Sequence, residues 1–393
     1  MNNSLDHHRK IARVNRQSSS SSRNTIPNDL IIEILLRLTS KTIAICRCVS
    51  KQWNSFLGTP YFTESFLIRS SARPRILFTF EVGDKWHICS SPQPQNLDKE
   101  LTHVAADYHM SLSRHSHREN CQSVNGFICL IDKGMLTKKR DAARVPVLCN
   151  PSTGQHVTLP KVKARNNDLR SFFGYDPVNK QYKVLCMTVT NYRQVNSREH
   201  QVLTLGKGKK LSWRKIECSF PHYPDDNSDG ICINGVLYYM ARSVHDYTRL
   251  IACFDVRSEE FSLLNMPVSE FRSLPFSALV NYKGKLGAVN FNGSHGELWV
   301  LESAEKEKWS KHVFVMPDKG FHHTIKSTWA TDRDEIAWVR TLKSSLCVYY
   351  SNLETKSVRR VMIQGIDEQA LMAIHRCEAQ ITVRDHVENV MFL

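Results

Sequence analysis

A turn signal followed by a short apolar run returns at a nearly fixed interval along the C-terminal part of this sequence. Asn234-Gly235 leads into residues 236–240. Lys283-Gly284 comes 49 residues later (284 − 235) and leads into residues 287–291. Asp334-Glu335 follows 50 residues after that (334 − 284) and leads into residues 336–339. Each unit continues with a second apolar run, at Phe254-Asp255-Val256, residues 298–301 and residues 348–351. The first two units close at Met266-Pro267 and at Trp309 with Pro317. Earlier, Asn125-Gly126 precedes Asn150-Pro151-Ser152-Thr153-Gly154 and a close at Leu159-Pro160. Phe173-Gly174-Tyr175-Asp176 and residues 75–80 read as two further unit starts. Asn-Gly favours the tight turn whose central residues both need positive φ. A unit of several short strands cannot bury both of its faces alone, so such units stack on their neighbours. The expected architecture is therefore a β-propeller of about six blades. An irregular β-sandwich is the alternative. The terminal run Val390-Met391-Phe392-Leu393 is expected to pair with the first blade and remove a free sheet edge.

Ahead of the β region the period is helical. Pro27 suits the first turn of a helix, with Asn28 and Asp29 beside its N-terminal amides. Leu30, Ile31, Ile34, Leu35 and Leu38 recur on one face. Ser40 is the expected N-cap of a second helix carrying Ile43, Ile45, Cys48 and Val49. Ser50 caps a third with Trp53, Phe56 and Leu57, and Thr59-Pro60 opens a fourth with Phe62, Phe66 and Leu67 inward. A run of small helices this short buries little surface and is expected to lean on a partner. The division is thus 1–23 as a disordered basic, Ser-rich tail, 24–70 as the helical domain and 71–393 as the β domain.

Composition narrows the function classes. With 41% hydrophobic and 23% charged residues the chain is globular. No apolar stretch approaches the roughly 18 residues that cross a membrane, and the N-terminus lacks signal-peptide order. A cytoplasmic or nuclear protein without a membrane partner is expected. The 12 cysteines are dispersed, several of them among apolar neighbours, as buried thiols in a reducing compartment are. No C-x-x-C pair occurs, so neither metal nor cofactor is expected. The net charge of +15 is scattered over short clusters (residues 138–140, 161–165, 207–210 and Arg359-Arg360) and forms no reading helix or aromatic platform. Nucleic acid is not an expected partner.

Catalysis finds no support either. His115-Ser116-His117 and His322-His323 lack acidic or cysteine partners at ligand spacing. Residues 206–210, Gly-Lys-Gly-Lys-Lys, lack the spacing of a phosphate loop. The chain is not expected to be an enzyme.

Residues 26–38, Ile-Pro-Asn-Asp-Leu-Ile-Ile-Glu-Ile-Leu-Leu-Arg-Leu, resemble the first helix of an F-box, and Lys41-Thr42-Ile43 and Arg47-Cys48-Val49-Ser50-Lys51-Gln52-Trp53 continue the pattern in register. The rest resembles the F-box-associated domain of the large plant F-box family. The residues that carry this are Pro60-Tyr61-Phe62, residues 150–154, Phe173-Gly174-Tyr175-Asp176-Pro177, Lys183-Val184-Leu185, Phe254-Asp255-Val256 and Val387-Glu388-Asn389. Thr39 departs from the family's usual proline and Cys46 from its larger aromatic. The resemblance implies a small all-α F-box followed by an all-β domain. It further implies the substrate-recognition subunit of a Skp–cullin–F-box ubiquitin ligase, with a Skp-type adaptor, a cullin held through it, and a target protein on the β domain. The docking residues it implies are Pro27, Leu30, Ile34, Leu35, Leu38, Ile43, Val49 and Trp53. Leu38 and Trp53 also fit the alternative role of holding the helices together. The alternative function is a basic propeller that binds nucleic acid or phosphorylated ligands beside a non-functional F-box.

Overall fold

The computed structural model describes residues 26–83, 85–94, 101–113, 121–132, 145–162, 168–189, 199–206, 210–225, 230–266, 277–292, 295–317, 325–342, 345–376 and 381–393. The tail 1–23, both histidine pairs, the 138–140 cluster and most of the 161–165 and 207–210 clusters lie outside the described residues.

Helix α1 spans Asn28–Leu35. Pro27 stands one place before it rather than within its first turn, at the N-cap with φ −53° and ψ 140°. Proline's fixed φ suits that position, and its missing N–H would have had no helical partner there. Asp29 puts negative charge in the first turn. The helix ends with Arg37 reaching back to Glu33 at 2.9 Å.

From Thr39 on, three short helices follow: α2 (Ser40–Val49), α3 (Lys51–Leu57) and α4 (Pro60–Ser71). The cap of α2 is Thr39, whose Oγ1 accepts from the amide of Thr42. Ser40, the expected cap, is the first helical residue and is buried, its hydroxyl donating to Glu388 at 2.6 Å. Both residues can cap, and the tertiary contact to Glu388 selects between them. Ser50 and Thr59 cap α3 and α4 as expected, accepting from Trp53 N at 3.1 Å and Phe62 N at 3.4 Å. Ile43, Leu57, Phe62 and Phe66 are fully buried.

The β region is a six-bladed propeller. Its antiparallel sheets, taken along the chain, begin with blade 1, made of β1 (Arg75–Val82), β2 (Lys85–Pro92) and β4 (Asp107–Ser113). Blade 2 holds β5 to β8 (Cys121–Val124, Phe127–Asp132, Val145–Asn150, Gln155–Thr158). Blade 3 holds β9 to β12 (Asp168–Asp176, Gln181–Val189, His200–Thr204, Arg214–Ile216). Blade 4 holds β13 to β17 (His222–Pro224, Ile231–Ile233, Val236–Ser243, Arg249–Asp255, Phe261–Asn265). Blade 5 holds β18 to β21 (Ser277–Tyr282, Lys285–Asn292, His295–Ser303, Lys308–Val315), and blade 6 holds β22 to β25 (Ile325–Ala330, Glu335–Leu342, Ser345–Asn352, Val358–Gln364).

The Asn-Gly and Lys-Gly signals are the first hairpin of a blade, not its start. Asn125-Gly126, Asn234-Gly235 and Lys283-Gly284 all have positive φ at both residues and join the first two strands of blades 2, 5 and, through β14–β15, blade 4. Units read from these turns are therefore displaced by one strand. A Cβ on Gly126 would also lie 2.5 Å from that of Asn389, so no other residue fits there.

Because successive residues of a strand face opposite ways, each blade feeds two cores. On β6, Ile128 and Leu130 pack with Leu77, Ile88 and Met110 of blade 1, while Phe127 and Cys129 pack with Phe173 and Val184 of blade 3. Equivalent clusters join blades 3 and 4, 4 and 5, 5 and 6, and 6 and 1. A sandwich would have one core between two sheets; six interblade cores rule it out.

Closure comes from an unexpected segment. Strand β26 (Ile381–His386) pairs antiparallel with β1, from Phe80↔Ile381 to Arg75↔His386. The expected closing run, Val390-Met391-Phe392-Leu393, forms no strand. It is tied down by polar contacts: Asn150 Nδ2 donates to the carbonyls of Asn389 (2.9 Å) and Met391 (2.7 Å), and Asn389 Nδ2 donates to Asn125 O at 2.6 Å. Two further links cross the same seam. Strand β3 (Leu101–Ala105), between β2 and β4 in sequence, pairs parallel with β25 of blade 6. Helix α5 (Glu368–His375), capped by Asp367, sets Ala370, Leu371 and Ile374 into the core of blades 6 and 1.

Candidate docking surface

Along α1, residues four apart share a face. Leu30 and Ile34 are 55% and 53% exposed, and Ile26 before the helix is equally open. Leu35 and Leu36 are buried, and Leu38 is half-buried. A short helix with its apolar side chains on two faces therefore leaves one uncovered.

The same split holds on α2. Ile43 faces inward with no exposure, whereas Ile45 and Val49, again four apart, are exposed. Arg47 lies between them on the buried side. Its guanidinium donates to Leu57 O at 2.7 Å and sits 4.2 Å over the ring of Phe392, so one side chain ties α2 to α3 and to the C-terminal segment. On α3, Trp53 is half-buried and Leu57 is buried.

Of the eight residues expected to dock, Pro27, Leu30, Ile34 and Val49 are thus exposed, Leu38 and Trp53 are partly covered, and Leu35 and Ile43 are interior. Ile26 and Ile45 belong with the exposed group and were not anticipated. Helical spacing could have found them, since each lies four residues before an expected docking residue.

On the propeller, a cleft of ≈ 290 Å³ is lined by Arg73, Arg75, Arg333 and Arg359 together with Asp332, Glu335 and Glu388. Several of its charges already have protein partners. Arg359 grips the buried Glu335 through two 2.9 Å bonds, and Arg75 binds Ser90 Oγ at 2.8 Å and pairs with Asp107. Among the described residues, no histidine, cysteine or lysine lines the cleft. Elsewhere, His200, Cys218 and His222 bring their ligand atoms within 4.8 Å of one another. Sequence reading passed over these three because it sought paired ligands at finger-like spacing. No helix among the described residues is long and apolar enough to cross a membrane.

Two family models match. One, an F-box domain, covers residues 24–65, and the other, an F-box associated beta propeller domain, covers residues 75–387. Neither is a family of enzymes. Similar proteins from Arabidopsis thaliana include the F-box protein At1g46984, 48% identical over 371 residues with 94% of each chain covered. The F-box protein At1g46840 is 46% identical over 98% of this chain and 79% of its own length. The F-box protein DOR is 37% identical over 96% of this chain and 99% of its own. With a helical segment matching the one model and a six-bladed ring the other, this chain belongs to the plant F-box proteins that carry an F-box-associated β-propeller.

Proposed function

We propose that the chain is the substrate-recognition subunit of a Skp–cullin–F-box ubiquitin ligase, working in the cytoplasm or nucleus. Its F-box helices dock on a Skp-type adaptor, through which a cullin is recruited, and its propeller holds the target protein. The observation that carries this reading is the exposure of Leu30 and Ile34 on a chain whose other long apolar side chains are mostly interior. Contiguous exposed apolar side chains mark an interaction surface. Pro27 and Val49, with Ile26 and Ile45, offer further apolar contact. Leu35 and Ile43 are interior and steady the helices that carry them, as do Leu38 and Trp53 in part. No catalytic group is needed, because a receptor acts by holding its target close to chemistry done elsewhere.

The test is a pull-down of a Skp-type adaptor by the full chain and by a Leu30→Asp, Ile34→Asp double variant. Both positions are exposed, so the variant should keep its circular dichroism spectrum and lose the adaptor. Capture of the adaptor at undiminished yield by the folded variant would remove the proposed interface.

A further inference from the structure

We infer that His200, Cys218 and His222 form a zinc site joining blades 3 and 4. His200 opens β11, the third strand of blade 3; Cys218 lies in the connection from β12 to β13; His222 opens β13, the edge strand of blade 4. Imidazole nitrogen with thiolate sulfur is the donor set that a borderline-soft, tetrahedral ion selects.

The spacing suits that ion. Zn–S and Zn–N bonds of about 2.3 and 2.05 Å at tetrahedral angles hold S and N about 3.6 Å apart. Cys218 Sγ lies 3.7 Å from His222 Nδ1. All three donor atoms fall within 4.8 Å of one another, so closing on an ion requires shifts of about 1 Å.

The hydrogen bonds around His222 can serve either tautomer of its ring. Its Nε2 lies 2.6 Å from Tyr239 Oη, and the Tyr239 hydroxyl donates to Met187 Sδ at 3.7 Å. The tautomer with its proton on Nδ1 donates to Phe220 O at 3.2 Å, and in the ligating tautomer Nε2–H donates to Tyr239 Oη, the hydroxyl turns to Met187 and the Nδ1 lone pair faces the metal. A hydrogen bond from the other ring nitrogen is what usually fixes the orientation of a ligating histidine. Phe220, Phe261 and Tyr239 surround the two imidazoles at centroid distances of 5.1 to 5.9 Å and give the site an apolar wall.

Without metal, the thiol donates to Phe220 O at 3.2 Å. Binding therefore replaces the S–H bond with an S–Zn bond and releases that proton to solvent. Three protein ligands leave a fourth position, and Cys218, only half-buried, opens it toward solvent. A water there completes a structural cross-link between blades.

Zinc titration of the metal-stripped full-length chain should show about one ion bound per chain, and cobalt substitution should give a thiolate-to-cobalt charge-transfer band. Cys218→Ser and His222→Gln should each abolish stoichiometric binding, and Tyr239→Phe should weaken it about tenfold. Zinc should also protect Cys218 of the unaltered chain from alkylation, which keeps the test valid if a ligand variant fails to fold. Absence of tight binding in the unaltered chain, unprotected Cys218 in the presence of zinc, or a charge-transfer band that survives Cys218→Ser would each overturn the proposal.

Discussion

On helix α2, Ile43 has no exposure while Ile45 and Val49 are 62% and 69% exposed. On strand β6, four consecutive apolar residues, Phe127, Ile128, Cys129 and Leu130, are all buried. The strand has a neighbouring blade on each side, so both of its faces meet a core. The helix has packing for one face only, and its second apolar face is left bare. An apolar run inside the propeller is thus consumed by the fold, whereas one on the F-box helices exceeds what the helices need for themselves. That excess is the surface the proposed adaptor would cover.

Replacing a blade-core side chain should break the comparison most strongly. Trp338 sits between Phe291, Phe314 and Tyr349 in the core of blades 5 and 6. Trp338→Ala should cost about 3–5 kcal/mol in chemical denaturation, by lost transfer energy and the cavity left behind. A smaller loss should follow Asn389→Ala. Asn389 is fully buried, donates to Asn125 O and accepts from Met391 N at 2.8 Å. Its removal leaves these backbone groups unpaired and should cost about 1–3 kcal/mol by the same measurement.

A third effect appears only in acid. Burial acts to raise the Glu259 carboxyl, but hydrogen bonds and charge from Lys183 and Arg214 outweigh it and hold the pKa below the ordinary 4.5. A carboxylate whose folded pKa is depressed stabilises fully above its unfolded pKa and loses that contribution as pH falls through the folded one. The urea midpoint should therefore drop below pH 4.5, and Glu259→Gln should flatten that part of the curve while lowering stability at neutral pH. The smallest effect belongs to the helices. Ile45→Ser and Val49→Ser should each change stability by no more than about 0.5 kcal/mol, because their side chains are already in water. A cost near that of Trp338→Ala would show that this face is covered after all.

The blades could be read from the sequence because each is a local object. Turn residues with positive φ at Asn125-Gly126, Asn234-Gly235 and Lys283-Gly284, and apolar runs on either side, are fixed by neighbours within one hairpin. Helix caps at Ser50 and Thr59 are equally local. What escaped was long-range. Residues 381–386 and 390–393 are both short and partly apolar, and nothing local says which of them meets a strand some 300 residues earlier. The cap moved from Ser40 to Thr39 for the same reason, since Glu388 draws the Ser40 hydroxyl away. Leu35 and Ile43 matched the docking pattern because apolar spacing marks both faces of a short helix and does not say which is covered. His200, Cys218 and His222 converge only once blades 3 and 4 lie side by side.

Pairing β26 with β1 makes the ring a loop fastened by its two ends. A ribosome emits Arg75 some 300 residues before it emits His386, so throughout synthesis the first blade presents an edge with no partner. Five blades can assemble progressively, each against the one before, yet the last interface waits for the final stretch of chain. A message truncated just before residue 381 would encode almost the whole propeller and still yield a ring that cannot shut.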